Sequence, residues 1–242
     1  MEKIQLSDFR SDLIRLEETI IFACIERAQF KRNEFIYKDG TVETDSFTGS
    51  FMDFMLFETE KVHAKVRRYT APDEEPFFKD LPEPLLKGID YSNVLIENKI
   101  NYTAKIKEIY LTHILPAISP QGDCQNYGSS ATCDVNCLQA IARRIHYGKF
   151  IAEAKFQAQK EAYSDLIKAA DTSAIMALLT NEKVEEILLK RVALKAATYG
   201  RYPEDPEEID CKIQPEAITA IYKNWIIPLT KEVEVDYLMA RI

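Results

Sequence analysis

The chain has 242 residues, 46% of them hydrophobic, and this share excludes a mainly disordered protein. Only 7 glycines argue against an all-β fold built on tight turns. Lysine and arginine number 31 against 39 aspartate and glutamate, so the net charge of −8 disfavours nucleic acid or an acidic membrane as the main partner. A local basic pocket for a small anion is compatible with this balance.

The spacing of apolar residues predicts helices along the whole chain, and no useful stretch alternates with period two. We therefore predict an all-α fold: one helical domain spanning residues 1–242, bundled around a long central helix. Pro116 is expected to end or kink one helix and Pro228 to kink the last one, because proline cannot donate the helical hydrogen bond. The predicted helices cover residues 7–30, 50–68, 102–115, 132–159, 162–169, 174–179, 181–199 and 215–240.

Polar segments between these helices are predicted to be loops. One covers Asn33 to Gly49, with a turn at Asp39-Gly40, and another covers Arg201 to Ile213. Helix starts are predicted where a side chain can cap the first backbone N–H groups, a role that suits serine, aspartate and asparagine. The predicted capping residues are Ser7, Asp171 and Asn181.

The central helix is the most informative stretch, and Leu138 to Gln159 is its clearest part. Its apolar residues have helical spacing and alanines fill the gaps. Arg144 and Lys155 lie eleven positions apart, about three full turns, so the two cations should project from the same side. Two interpretations are open at this point: a solvated basic face, or a bundle core that holds an anion.

The cysteines and the N-terminus bear on location. Five cysteines with scattered spacing indicate reduced thiols, and the N-terminal residues do not form a signal peptide, so we expect a soluble cytoplasmic protein. Cys133 and Cys137 lie one helical turn apart, but no second pair completes a zinc set, so no structural metal is expected. No apolar run is long enough to span a bilayer, which predicts no membrane partner.

Two pairs of polar residues have the i, i+4 spacing that places side chains one above the other on a helix. They are Asn181 with Glu185, and Thr230 with Glu234. Either pair alone is also typical of a solvent-exposed helix face. His146 is two residues from Arg144 and does not share its face, so we interpret it as structural.

Longer motifs carry a family resemblance. Residues Arg143 to Phe156 and Pro228 to Leu238 closely resemble signatures of the fungal- and plant-type chorismate mutases. The segments Phe9 to Phe22, Arg67 to Phe78 and Asn126 to Thr132 also resemble that family. The resemblance runs in order along nearly the whole chain.

The resemblance implies an all-helical homodimer of the chorismate mutase II type. It would convert chorismate to prephenate in the shikimate branch to phenylalanine and tyrosine. The rearrangement is intramolecular and concerted, and it uses no metal, cofactor or nucleophile. Negative charge gathers on the breaking ether oxygen, so catalysis consists of holding a compact conformer and supplying preorganised donors.

Matched by residue type, two arginines would bind the two substrate carboxylates, because guanidinium binds carboxylate in bidentate fashion. A lysine and a protonated glutamate would face the ether oxygen from two sides, which requires burial to raise the glutamate pKa. A second glutamate would bind the substrate hydroxyl. The implied catalytic residues are Arg10, Arg144, Lys155 and Glu234, and the implied substrate-binding residues are Asn181, Glu185 and Thr230.

The fungal branch of the family also has an effector site for tyrosine and tryptophan at the dimer interface. The matching arginines end the second helix, and the other residues would come from the second subunit. Gln214 departs from the pattern, since yeast-type members have threonine there, so regulation can differ in strength or sign. The implied effector-binding residues are Arg67, Arg68, Asn126, Gly128, Ser129 and Thr132.

Two other function classes compete with the enzyme. One is a helical sensor of aromatic amino acids that has lost catalysis, and the other is a helical scaffold. The intact catalytic set disfavours the sensor, because a sensor needs no donors around an ether oxygen. A scaffold role does not explain why the central helix carries Arg144 and Lys155 on one side.

Overall fold

The computed structural model describes residues 3–201 and 211–241. Helices dominate, as predicted, and one short hairpin accompanies them. The elements are α1 Arg10–Ala28, β1 Val42–Thr44, β2 Phe47–Gly49, α2 Phe51–Lys65, α3 Thr103–Ile109, α4 Leu115–Ile118, α5 Tyr127–His146, α6 Gly148–Ala158, α7 Lys160–Lys168, α8 Thr172–Leu179, α9 Glu182–Tyr199, α10 Pro215–Ile221 and α11 Ile227–Met239.

The central helix is buried along most of its length. Helices α1, α2 and α11 pack against α5, while α11 also packs against α6 and α8. Small residues of α5 such as Ala131 and Ala142 are buried and let these neighbours approach closely. The hydrophobic core continues from α5 into a second cluster around α6, α7 and α8.

The predicted central helix is interrupted at one residue. It begins at Tyr127, earlier than predicted, and α5 and α6 meet at Tyr147, whose backbone ψ is −15°. The N–H groups of Phe150 and Ile151 both bond to the Tyr147 carbonyl, so one turn is locally tightened. The Tyr147 ring packs edge-on against Phe9, which fixes the start of α1 at this junction.

The two prolines that lie within predicted helices, Pro116 and Pro228, each follow a turn of π-helix. The wide turns are Tyr110–Ile114 before Pro116 and Tyr222–Ile226 before Pro228. Because proline lacks an N–H and its ring crowds the carbonyl four residues earlier, a wider turn accommodates it without ending the helix. The kinks that the sequence predicts are therefore local widenings, and each helix resumes at once.

The segment predicted as a loop at residues 33–49 contains the hairpin, so the loop prediction was wrong at these two strands. The two strands pair antiparallel from Val42–Gly49 to Thr44–Phe47. Three residues are too few to show an alternating pattern, which explains the miss. The Phe47 ring packs against Phe57 of α2 and so holds the hairpin on the helices.

The predicted helix ends are partly confirmed. Asp171 and Asn181 accept N–H bonds from Ala174 and Val184 and cap α8 and α9. Ser7 does not cap α1, because a short 3₁₀ turn at Leu6–Phe9 precedes the helix. Most of the predicted loop at Arg201–Ile213 lies outside the described residues. In the part of the chain that is described, no helix is long and apolar enough to cross a membrane.

A buried ion pair that sequence analysis missed joins α1 to α5. The Arg27 Nε donates to Asp134 Oδ1 at 2.6 Å, and neither side chain is exposed. Tyr37 and Tyr110 also donate to this carboxylate, at 2.6 Å each. Ser119 accepts from the same guanidinium, so the pair is embedded in a hydrogen-bonded network.

Removing one partner of this pair is expected to destabilise the fold. Arg27→Met should lower the free energy of unfolding by about 3–5 kcal/mol, because it leaves the Asp134 charge buried and uncompensated. Urea denaturation followed by circular dichroism measures the change. Arg15→Met is the control, because the Arg15–Asp12 pair is about half exposed and contributes at most about 1 kcal/mol. Equal losses in the two variants would contradict the prediction.

Candidate active site

Arg144 lies in the last turn of α5 and is buried, with 5% of its surface exposed. Its Nη1 donates to the Thr230 hydroxyl of α11 at 3.4 Å. Burial lowers the pKa of the guanidinium, and nearby Tyr222, Glu234 and Glu17 oppose this effect. A desolvated guanidinium with one long hydrogen bond retains most of its donors for an anion, which favours the second interpretation of the basic stripe.

Lys155 of α6 and Glu234 of α11 form a direct pair. The Lys155 Nζ lies 2.8 Å from Glu234 Oε2 and also donates to the Leu179 carbonyl at 2.9 Å. Arg144 and Lys155 bond to Thr230 and Glu234, one turn apart on α11, so the two cations face the same helix as predicted, across the interruption at Tyr147. We refer to Arg144, Lys155, Thr230 and Glu234 as the buried cluster.

Burial sets the ionisation of Glu234, whose exposed fraction is 3%. Desolvation raises its pKa above that of an ordinary carboxyl, although Lys155, Arg144 and Lys231 act in the opposite direction. The protonated carboxyl therefore persists to higher pH than in water. This is the direction that the predicted role of Glu234 as a donor requires.

Glu185 and Lys231 form a second pair at the edge of the buried cluster. The Lys231 Nζ lies 3.0 Å from Glu185 Oε1, and both side chains are partly exposed. Sequence analysis missed Lys231, although it lies three residues before Glu234 and shares its face. Asn181 is exposed, and its side chain caps α9 through the Val184 N–H at 3.2 Å. The helix cap places Asn181 one turn before Glu185.

Arg10 is not part of the buried cluster. It is the first residue of α1, is exposed, and makes no hydrogen bond or ion pair with any described residue. Its neighbour Phe9 packs on Tyr147 and Phe150, so the helix start is held beside the α5–α6 junction. Arg10 therefore begins α1 as an exposed cation without a hydrogen-bond partner among the described residues.

His146 is structural, as predicted. It is fully buried, its Nδ1–H donates to the Ala142 carbonyl at 2.8 Å, and its Nε2 accepts from the Tyr102 N–H at 2.9 Å. Burial and the nearby Lys149 lower its pKa to about 3. A neutral ring with both nitrogens occupied holds the start of α3 on α5.

Arg68 follows α2 in a short turn and is held from three sides. Its Nε donates to Glu74 at 2.8 Å, and its Nη1 contacts His63 at 3.0 Å and Gln139 at 2.9 Å. No described residue accepts from its Nη2. Arg68 also lines a groove of about 380 Å³ between α1 and α5. Arg68 is therefore not a solvated cation at the end of α2.

The other predicted effector residues lie elsewhere on the chain. Arg67 has a left-handed backbone (φ 61°) and donates to the Lys87 carbonyl at 2.9 Å. The start of α5 carries the remaining set, which is exposed and which no contact joins to Arg67 or Arg68. These residues are Asn126, Gly128, Ser129 and Thr132. One chain therefore does not bring the two halves of the set together.

Gln214, where the family pattern breaks, is the N-cap residue of α10. Its side chain makes no capping hydrogen bond. Threonine is a better N-cap than glutamine, because its hydroxyl can accept from the first free N–H groups. The substitution thus changes how this helix start is held.

Comparison with known proteins finds relatives along the whole chain. The family described as Chorismate mutase type II matches residues 126–235. A chorismate mutase of Emericella nidulans is 49% identical, over 99% of this chain and 93% of its own. A Candida albicans chorismate mutase in complex with L-Trp superposes with a TM-score of 0.92 at 43% identity, covering 98% of this chain and 91% of that one. AtCM1 with tyrosine in its allosteric site gives 0.90 at 46% identity, covering 99% and 97%.

Proposed function

The chain belongs to the chorismate mutase family, and we propose that the buried cluster is the site at which it converts chorismate to prephenate. Isomerase activity follows from the full-length similarity to chorismate mutases. The observation that supports the site is the convergence of a buried guanidinium, an ammonium and a carboxyl group from α5, α6 and α11. These are the groups that a dicarboxylate with a breaking ether bond needs.

Arg144 holds one substrate carboxylate in a bidentate pair, and Arg10 closes on the other from the start of α1. The two arginines select the compact conformer in which the reacting carbons meet, so the protein supplies orientation rather than a nucleophile. Thr230 and the Glu185–Lys231 pair, with Asn181 beside them, orient the substrate hydroxyl and carboxylate.

Lys155 and Glu234, which bond to each other in this structure, stabilise the negative charge that develops on the ether oxygen. Lys155 and Glu234 separate to admit the oxygen, and each then donates one hydrogen bond to it. The donation by Glu234 requires its protonated form, which the raised pKa favours. Both donors are fixed by helices before the charge develops, and such preorganised donors contribute most where water is excluded.

A turnover assay tests this function against its alternatives. The purified chain is mixed with chorismate, and loss of the substrate's ultraviolet absorbance is followed together with the appearance of prephenate. We expect multiple turnovers without added metal or cofactor. Binding of tyrosine or tryptophan without turnover would favour the sensor, and neither turnover nor binding would favour the scaffold.

Regulation by aromatic amino acids is proposed for a homodimer. Arg68 provides a partly buried guanidinium whose Nη2 bonds to no residue that the structure describes, and such a group suits the carboxylate of an amino acid. The start of α5 in a second chain would supply Gly128, Ser129 and Thr132. Relatives crystallised with tryptophan and with tyrosine support both effectors. Tyrosine would inhibit through its hydroxyl on Thr132, and tryptophan would activate by wedging the subunits apart.

Arg68→Ala is expected to weaken both responses. Loss of a charge-assisted hydrogen bond of about 1.5–3 kcal/mol reduces effector affinity roughly 10- to 150-fold. Chorismate saturation curves with and without each amino acid measure the response as a ratio, which removes any change in basal rate. Lys65→Ala, an exposed cation at the end of α2, is the control and should respond like the parent chain. Unchanged responses in Arg68→Ala would remove Arg68 from the effector site.

A cytoplasmic location is also proposed. All five cysteines are free thiols, a state that a reducing compartment maintains. Fractionation of cells that express the tagged chain tests the proposal, and recovery with an organelle marker would contradict it.

A further inference from the structure

Gly148, the first residue of α6, faces α11 at very short distance. A Cβ atom on this residue would lie 2.9 Å from the backbone oxygen of Thr230. It would also lie 3.3 Å from Thr230 Cγ2 and 3.4 Å from Glu234 Cγ. Gly148 therefore touches the two residues that α11 contributes to the buried cluster.

Backbone conformation does not explain this glycine. Its φ is not in the left-handed region, unlike those of Gly40 and Gly122. Gly148 belongs to a helix, where alanine is intrinsically the better residue. The absence of a side chain here is explained by the close approach of α11.

The contact also cannot be relieved by moving a flexible side chain. The Thr230 oxygen is main chain, within a helix whose next turns are buried at Val233 and Leu238. Carbon and oxygen normally stay well beyond 3 Å apart, so an added Cβ would displace α11 or α6 by roughly half an ångström.

We propose that Gly148 is a positioning residue that sets the distance between the two halves of the active site. Arg144 and Lys155 lie on one side of this contact, and Thr230 and Glu234 lie on the other. The bonds that cross it are Arg144–Thr230 at 3.4 Å and Lys155–Glu234 at 2.8 Å. The proposal rests on the proposed catalytic role of the buried cluster.

Gly148→Ala tests the proposal through kcat, KM and the pH profile. We expect kcat to fall at least about tenfold, because a displacement of about 1 Å can cost a hundredfold in rate. KM should change less, since Arg10 and Glu185 belong to α1 and α9 and not to the α6–α11 contact.

The pH profile separates a positioning role from general destabilisation. Moving Glu234 away from Lys155 and Arg144 weakens their stabilisation of its charged form, while burial continues to favour the protonated form. The alkaline limb of kcat/KM, which reports the free enzyme in which the pair is closed, should therefore move to higher pH. Lys231 also acts on Glu234, and Glu234 acts on Tyr163, so these two groups face the same carboxyl.

Gly49→Ala is the matched control. An added Cβ there would lie 3.0 Å from the end of the Phe47 ring, which can move, and the hairpin is outside the active site. This variant should keep the parent kcat and pH profile. Circular dichroism and thermal unfolding are recorded for both variants, so that folded fractions can be compared.

If Gly148→Ala folds poorly, the double variant Gly148→Ala/Thr230→Ser is measured against Thr230→Ser. The second change removes Cγ2 and reduces the overlap while keeping the hydroxyl. A parent-like kcat and pH profile in the folded glycine variant would overturn the positioning role. Absence of turnover in the parent chain would instead overturn the proposed function, so the two failures are distinct.

Discussion

Replacing Arg144 by alanine is expected to reduce kcat/KM for chorismate by roughly tenfold to several hundredfold or more. A charge-assisted hydrogen bond contributes about 1.5–3 kcal/mol, and a substrate carboxylate left unpaired in a buried site costs more. Arg144 is the buried guanidinium of the cluster, and its one described hydrogen bond is the long contact with Thr230. Few native contacts are lost, so the fold should remain intact.

The neighbouring arginine provides the control for this loss. Arg143 projects from another side of α5 and binds Asp73 at 2.8 Å and Glu74 at 3.1 Å, away from the buried cluster. Arg143→Ala should keep its turnover within a few-fold of the parent chain. Arg144→Lys retains a charge without the planar fork and should lie between the parent and Arg144→Ala. Near-normal turnover in Arg144→Ala would exclude Arg144 from the active site.

Local patterns were enough to predict most of the helices. The caps at Asp171 and Asn181 and the boundaries of α9 depend on neighbours in sequence, and the structure confirms them. The hairpin and the π turns were missed because their signals are short or depend on packing. The interruption at Tyr147 likewise involves a ring that packs on Phe9, a contact that no periodicity reveals.

In the candidate site, too, features that depend on neighbours in sequence were predicted, and features that depend on tertiary packing were missed. The spacing of Arg144 and Lys155 predicted a common side, and both lie near Glu234. Lys231 was missed although its spacing from Glu234 was readable. The partners of Arg68, above all Gln139 of α5, come from distant parts of the chain. Gly148 carried no chemical signal in the sequence, because its importance lies in a tertiary contact.

Glu234→Gln is expected to change the pH dependence more than the rate at low pH. If protonated Glu234 donates to the ether oxygen, kcat falls about tenfold per pH unit above the pKa of this carboxyl in the complex. The glutamine amide donates a hydrogen bond without titrating. The variant should therefore retain activity at high pH and lose the alkaline limb.

Glu232→Gln is the control, because Glu232 lies on the same helix but is partly exposed and paired with Lys105. Its profile should follow that of the parent chain. An alkaline limb that is unchanged in Glu234→Gln would mean that another group sets it.

The pH dependence of stability tests the pKa of Glu234 independently of catalysis. Burial raises the folded-state pKa of Glu234 above its unfolded value, so the folded chain binds more protons between the two values. The free energy of unfolding of the parent chain should therefore decrease as pH rises through that window, and this loss should be absent from Glu234→Gln. Urea titrations at a series of pH values, above and below the ordinary carboxyl pKa of about 4.3, measure the difference. Parallel pH dependences in the two proteins would show that folding does not raise the pKa of Glu234, and the donor role would then need another group.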